Sequence, residues 1–192
     1  MILAGGLARR MGGGDKALRL VGGRTVLQHL LGRLIPQVGE VIVNANGDPD
    51  RFAPLPVVAD TMPGNPGPLA GVLAGMDWAA AHGPAMRHIL TVPGDAPFIP
   101  HDLASRLQQA GQGIACAASG GRTHPVVALW PVALQGELRR FLEAGERKVG
   151  KFTAAASVVE WPAEPVDPFY NVNTPEDLAE ANRLYTLASA SR

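Results

Sequence analysis

The stretch Met1-Ile2-Leu3-Ala4-Gly5-Gly6-Leu7-Ala8-Arg9-Arg10-Met11-Gly12-Gly13-Gly14-Asp15-Lys16 decides the fold. The apolar run from Met1 to Ala4 predicts a short opening strand, and the glycines after it break regular structure into a loop from Gly5 to Asp15. Backbone N–H groups of such a loop can turn toward a phosphate chain, because glycine accepts positive φ and puts no side chain in the way. Lys16 and Arg10 then place positive charge where it builds up, on an α-phosphate and a leaving pyrophosphate. The run lacks GxxxxGK followed by Ser or Thr, so it is not a P-loop, and it lacks GxGxxG. A glycine-rich run alone also fits a merely flexible loop. The strand-then-loop placement and the spacing from Arg10-Met11-Gly12 to Lys16 favour the anion site.

Working outward, short apolar runs alternate with helical segments, the pattern of an α/β protein with a mostly parallel sheet. Thr25 is a predicted N-cap for a helix whose apolar face is Leu27, Leu30, Leu31 and Leu34. Strands are expected at residues 40–44 and 57–59, then a Pro- and Gly-rich loop over 62–68 and an Ala- and Gly-rich helix over 69–81. Residues 88–92 predict a strand ending in Pro93-Gly94-Asp95. Further helices are expected at 102–109, 133–144 and near 149–155, and strands around Cys116, at 126–129 and at 158–161. Thr174 as N-cap, Pro175 at N1 and the acids Glu176 and Asp177 begin a last helix, with a frayed tail after about residue 187. No internal repeat is present, and residues 1–192 are expected to form a single domain of three layers, a sheet flanked by helices.

The chain carries 17 basic and 17 acidic residues and no net charge, which argues against a nucleic-acid partner. Arg9, Arg10, Lys16, Arg19 and Arg24 face one acid, Asp15, near the start, so the positive charge is local and suits a small polyanion; a solvated basic loop is the bland alternative. The single cysteine, Cys116, lies in an apolar run and reads as a buried structural residue rather than a nucleophile. No stretch has the length of a membrane span and no signal peptide precedes the first motif, so a cytoplasmic protein without a membrane partner is expected.

In open α/β sheets ligands sit beyond the carboxyl ends of the strands. Asp95 follows such a strand directly, and a carboxylate there suits Mg²⁺, which takes few protein ligands; the alternative is an Asp that caps the next turn. Asn44 and Asp60 also end strands and face the same crevice in this reading, Asn44 toward a base and Asp60 toward a base or ribose, unless each is a loop cap. Asn171 and Asn173 fall on one side of an extended segment, to hold an acceptor or complete a metal site, with helix capping the other reading of Asn173. His124-Pro125 and Gly145-Glu146-Arg147-Lys148 offer basic groups for an anionic acceptor, whereas His29, His82, His88 and His101 have no metal-like spacing. No Ser-His-Asp or Cys-His constellation is apparent.

The opening string resembles the signature of the Rossmann-like nucleotidyltransferases, LA(A/G)GxxxRMGxxK. Over nearly its full length the chain resembles the molybdenum cofactor guanylyltransferases, through LAGGLARRMGGGDK, VIVNAN, VVAD, PGPLAGVLAGM, PGDAPFIP, THPVVAL, GERKVGKF and NVNTPEDL in that order. The resemblance implies transfer of GMP from GTP to the phosphate of Mo-molybdopterin. It implies that Leu3, Ala4, Gly5 and Gly6 wrap the GTP, with Lys16 on its phosphates, Asn44 and Asp60 on the guanosine, and Asp95 on Mg²⁺. Gly67, Gly71, Asn171 and Asn173 would bind the acceptor, and Arg10, Lys16 and Asp95 would be catalytic. Gly6 gives LAGG, typical of the guanylyl branch, where cytidylyl relatives show LAAG. Implied partners are GTP, Mo-molybdopterin, and other proteins of the cofactor's synthesis or its acceptor molybdoenzymes. A cytidylyltransferase, a sugar-phosphate nucleotidyltransferase and a non-catalytic nucleotide-binding module remain the alternatives.

Overall fold

A computed structural model describes residues 1–5, 15–62, 67–83 and 85–190. The strands are β1 (Ile2–Leu3), β2 (Leu20–Val21), β3 (Arg24–Thr25), β4 (Val43–Asn44), β5 (Val57–Val58), β6 (His88–Pro93), β7 (Ala115–Ser119), β8 (Arg122–Pro131) and β9 (Ser157–Trp161). The helices are α1 (Val26–Leu34), α2 (Pro68–Ala81), α3 (Leu103–Gln109), α4 (Gln135–Glu143), α5 (Val149–Phe152) and α6 (Pro175–Ala190). Seven strands form one sheet in the order β5-β4-β1-β6-β8-β7-β9, and only β8 runs against its neighbours.

From β1 the chain builds outward through β4 to β5, then crosses to β6 on the other side. That reversal opens a crevice beyond the carboxyl ends of β1 and β6, where ligands bind in sheets of this kind. β1 is central yet very short, as its sequence predicts, and it limits β4. The expected strand over 40–44 pairs only at Val43 and Asn44, because Ile2 and Leu3 are its only partners in β1.

Alternation along the strands divides the core into two layers. Ile2, Leu90 and Val92 pack with Leu27, Leu30 and Leu34 of α1, Leu103 and Leu107 of α3, and Ala181 of α6. Met1, Ile89, Ala128 and Trp130 pack with Leu69, Val72, Leu73 and Met76 of α2 and with Leu138 and Leu142 of α4. The expected three-layer arrangement is present.

Local chemistry explains most boundaries. Thr25 Oγ1 accepts from Gln28 N at 3.1 Å and Gln28 Oε1 accepts from Thr25 N at 2.9 Å, a capping box that starts α1. Gly22 and Gly23, at φ 56° and 80°, close the β2–β3 hairpin, as Gly120 and Gly121 close β7–β8. The second hairpin makes β8 much longer than the run 126–129 predicts, and the Gly120-Gly121 pair was its sequence signal. No helix among the described residues is long and apolar enough to cross a membrane.

Candidate active site

The ends of β1 and β6 touch. Gly94 N donates to Leu3 O at 2.9 Å, and a Cβ on Gly94 would lie 3.2 Å from that oxygen, so the approach leaves little room for a side chain. The next residue, Asp95, is thereby delivered to the mouth of the crevice. Leu3, Ala4, Lys16, Ala17, Pro93, Gly94 and Asp95 line a cavity of about 80 Å³ there. A larger cavity, about 740 Å³, lies at the opposite, amino-terminal ends of the strands around Met1, Ile42 and His88, and holds none of the predicted site residues.

Lys16 joins the pieces. Its Nζ donates to Asp95 Oδ2 at 3.1 Å and to Asn173 Oδ1. Its side chain is 20% exposed and that of Asp95 15%, so the pair is partly shielded from solvent. The segment carrying both asparagines is held beside Asp95 by Val172 N, which donates to Asp95 O at 2.8 Å. Asn173 does not cap α6 with its side chain: Thr174 Oγ1 accepts from Asp177 N, and Asp177 Oδ2 accepts from the N–H groups of Asn173 and Thr174. The amide of Asn173 is therefore free to face Lys16. Asp95 Oδ1 and Asn171 Oδ1 are buried without a hydrogen-bond partner among the described residues. Orphaned buried oxygens of this kind call for an explanation.

The nucleoside-side candidates form their own network. Asn44 lies in register with Leu3, is buried, and donates from Nδ2 to Val58 O at 3.1 Å and Asp60 Oδ1 at 2.9 Å. Asn46 donates to Asp60 Oδ2 at 3.0 Å and accepts from Asp60 N at 3.0 Å. Both oxygens of Asp60 are thus aimed by asparagines. Asn46 carries half of this and is absent from the sequence reading, although its i+2 spacing from Asn44 put both on one side of the chain. Gly71 sits buried in α2 against Asn44 and Leu3, where a Cβ would meet Asn44 Oδ1 at 2.3 Å. Its connection to the site is this close approach. Gly67 precedes α2 at φ 76°, a conformation that favours glycine, and is exposed. Gly5 is exposed at the end of β1, while Gly6 and Arg10 lie outside the described residues.

Other expectations fare differently. His124 is buried, and that burial holds its pKa below the usual histidine value although Asp167 pulls it upward. Burial therefore disfavours the charged ring that an anionic acceptor would meet. Ser119 Oγ lies 2.8 Å from both His124 Nε2 and Asp167 Oδ1. Serine is the middle member, so histidine does not relay a proton between serine and carboxylate and the trio is structural. Arg147 Nη1 donates to Leu142 O and Glu146 O at the end of α4, and Lys151 pairs with Glu146. Cys116 is buried, and desolvation pushes its thiol up to about 11, as expected of a structural cysteine.

Comparison with known proteins places this geometry. A model of the MobA-like NTP transferase domain matches residues 1–159. A molybdenum cofactor guanylyltransferase of Rhodopseudomonas palustris (strain HaA2) is 58% identical over 193 residues, covering 96% of this chain and 90% of its own. The fold is shared with the crystal structure of molybdopterin-guanine dinucleotide biosynthesis protein A from Archaeoglobus fulgidus, at TM-score 0.75 and 21% identity over 97% of each chain. It is shared too with Rv0371C of Mycobacterium tuberculosis H37Rv, solved as a complex with manganese, at TM-score 0.65 and 18% identity over 95% of this chain and 96% of that one. The chain is a nucleotidyltransferase of the MobA-like NTP transferase family, within which it belongs to the molybdenum cofactor guanylyltransferases.

Proposed function

We propose that this enzyme transfers GMP from GTP to the terminal phosphate of Mo-molybdopterin, releasing pyrophosphate and a molybdopterin guanine dinucleotide cofactor. The observation that carries the reading is Lys16 poised over Asp95 and Asn173 at the carboxyl ends of β1 and β6. Its ammonium is a positive charge at the mouth of the crevice, where it favours the build-up of negative charge on the α-phosphate and pyrophosphate. In this reading Arg10 adds to that charge, and Leu3, Ala4, Gly5 and Gly6 wrap the GTP. Asp60, held by Asn44 and Asn46, accepts hydrogen bonds from the guanosine. Asn173, Asn171, Gly67 and Gly71 belong to the acceptor side in this reading.

The acceptor phosphate is ionised near neutral pH, so the protein needs no strong general base. Its task is to bring two polyanions together in line, against their repulsion. The orphaned, buried Asp95 Oδ1 and Asn171 Oδ1 are hard oxygen donors that fit Mg²⁺. Among the described residues no cluster of three or more His, Cys, Asp or Glu is present. Mg²⁺ takes few protein ligands and keeps most of its shell for water and phosphate. When bound, Mg²⁺ supplies positive charge on the phosphate oxygens. In this reading residues 1–192 act as one domain in the cytoplasm, and other proteins of the cofactor's synthesis or acceptor molybdoenzymes are the expected partners.

Calorimetry with GTP, CTP and UTP in the presence of Mg²⁺ tests the nucleotide. Selective binding of GTP supports the reading. Preference for CTP moves the enzyme to a cytidylyl acceptor, and absence of any triphosphate binding contradicts it.

A further inference from the structure

Arg51 stands between two parts of the site that are far apart in sequence. It lies in the 3-10 turn Pro49–Phe52, which follows the segment bearing Asn44 and Asn46. All three nitrogens of its guanidinium donate to protein oxygens. Nη1 donates to Asp15 Oδ1 at 2.7 Å and Oδ2 at 2.8 Å, Nη2 to Asn46 O at 2.8 Å, and Nε to Asp48 O at 2.8 Å. The Asp15 side chain is 9% exposed and that of Arg51 29%, so the pair is better shielded than an ordinary surface ion pair. Asp15 occupies the N-cap position of the 3-10 turn Lys16–Leu18, yet its carboxylate makes no capping bond. It is given to Arg51 instead.

The connections run without a gap across the site. Lys16 is bonded to Asp15 along the chain; Asp15 holds Arg51; Arg51 holds Asn46 O; Asn46 and Asn44 hold the two oxygens of Asp60. One end of this line is the ammonium proposed to meet phosphate, and the other is the carboxylate proposed to meet the nucleoside.

We infer that Arg51 is a positioning residue for the nucleotide, a strut that sets the distance between Lys16 and Asp60 and makes no contact with phosphate itself. An arginine beside a triphosphate site invites the opposite assignment. Here its charge is offset by Asp15 and its N–H groups are directed at protein oxygens, so phosphate would have to displace existing bonds. The planar fork explains the choice of arginine: its donors point in fixed directions, whereas a lysine keeps the charge on a single nitrogen. A pair serving stability alone would weaken the fold when broken but leave the affinity of the folded enzyme intact. A strut predicts lost affinity in protein that is still folded.

The inference rests on the reading of this site as a GTP site, and the test separates the two. GTP binding by calorimetry, KM, kcat and the thermal midpoint are measured for the parent, Arg51→Ala, Asp15→Asn, the double variant and Arg51→Lys. Each single change weakens GTP binding about tenfold, and the double variant is within about twofold of the weaker single, because both remove one strut. KM rises more than kcat falls, and Arg51→Lys does not restore affinity. If Arg51→Ala fails to fold, Asp15→Asn, which keeps the side-chain shape, carries the same test. The strut is refuted if the losses multiply in the double variant, if Arg51→Lys restores binding in full, or if the midpoint falls while folded variants bind GTP like the parent. A parent that binds no triphosphate overturns the GTP reading, and the strut with it.

Discussion

Replacing Gly71 by alanine tests how the nucleoside side of the site is built. The added Cβ would stand 2.3 Å from Asn44 Oδ1, 2.9 Å from Asn44 Cγ and 2.8 Å from Leu3 Cδ2. Asn44 is only 5% exposed, so it has no path into solvent and must turn within the core. Turning breaks its bonds to Val58 O and Asp60 Oδ1. A neutral hydrogen bond contributes about 1 kcal/mol and one to a carboxylate about 2 kcal/mol, while alanine gains about 1 kcal/mol over glycine in a helix. The balance is a loss of about 2 kcal/mol, or about 4–8 °C in the melting temperature of a chain this long. Affinity for GTP falls as well, because Asp60 has lost a donor that aims it. Gly32→Ala is the control: it lies in α1 with nothing within 4 Å of the added Cβ, and it should stabilise the enzyme by about 1 kcal/mol. Thermal unfolding and GTP calorimetry on both variants decide the matter. A Gly71→Ala enzyme as stable as the parent, with unchanged GTP affinity, refutes the close-approach argument.

Lys16→Ala should slow turnover by about 10²–10³-fold, the scale of removing one preorganised donor from a site of developing negative charge; a rate within a few-fold of the parent would remove Lys16 from the mechanism. Cys116, buried and with its thiol pushed up to about 11, should resist thiol reagents at pH 8 in the native enzyme and react on unfolding. Rapid native labelling would contradict its placement. Burial lowers the pKa of His124 below 6.5 in the folded state, with Asp167 and Glu160 opposing and Arg122 adding to the shift. The unfolded chain therefore takes up the proton first, and the stability tied to the neutral ring is complete above pH 6.5 and lost as pH falls toward the folded value. The melting temperature of His124→Gln should vary less than the parent's between pH 7 and 5, and parallel curves would show that His124 does not contribute.

Candidate residues at strand ends were legible because strand pattern and topology fix where they fall. Asp95, Asn44 and Asp60 come at or just after the ends of short apolar runs, and a parallel sheet gathers such positions at one edge, whereas Lys16 was legible from the glycine-rich run it follows. Asn173 was ambiguous in sequence, since a cap and a ligand look alike before a helix. The bonds of Thr174 with Asp177 leave the Asn173 side chain out of the cap, and Lys16 donates to it instead. Arg51 was not legible: it sits in Asp48-Pro49-Asp50-Arg51-Phe52, which reads as a solvated turn, and its partner Asp15 is 36 positions away in sequence. Spacing patterns do not encode pairings of that range. The charge of His124 was not legible either, because it depends on burial that no local pattern reveals. β8 begins at Arg122 rather than near 126 because Gly120-Gly121, a hairpin signal, turns the chain straight back from β7.

The most direct test of the central claim follows the α-phosphate. With α-labelled GTP, Mg²⁺ and Mo-molybdopterin, the label should appear in a molybdopterin dinucleotide, with one pyrophosphate released for each label transferred. CTP and UTP should serve poorly, and Asp95→Ala should be slower by about 10²–10³-fold. Label that stays in GTP when the acceptor is intact, or an Asp95→Ala enzyme as fast as the parent, would contradict the account.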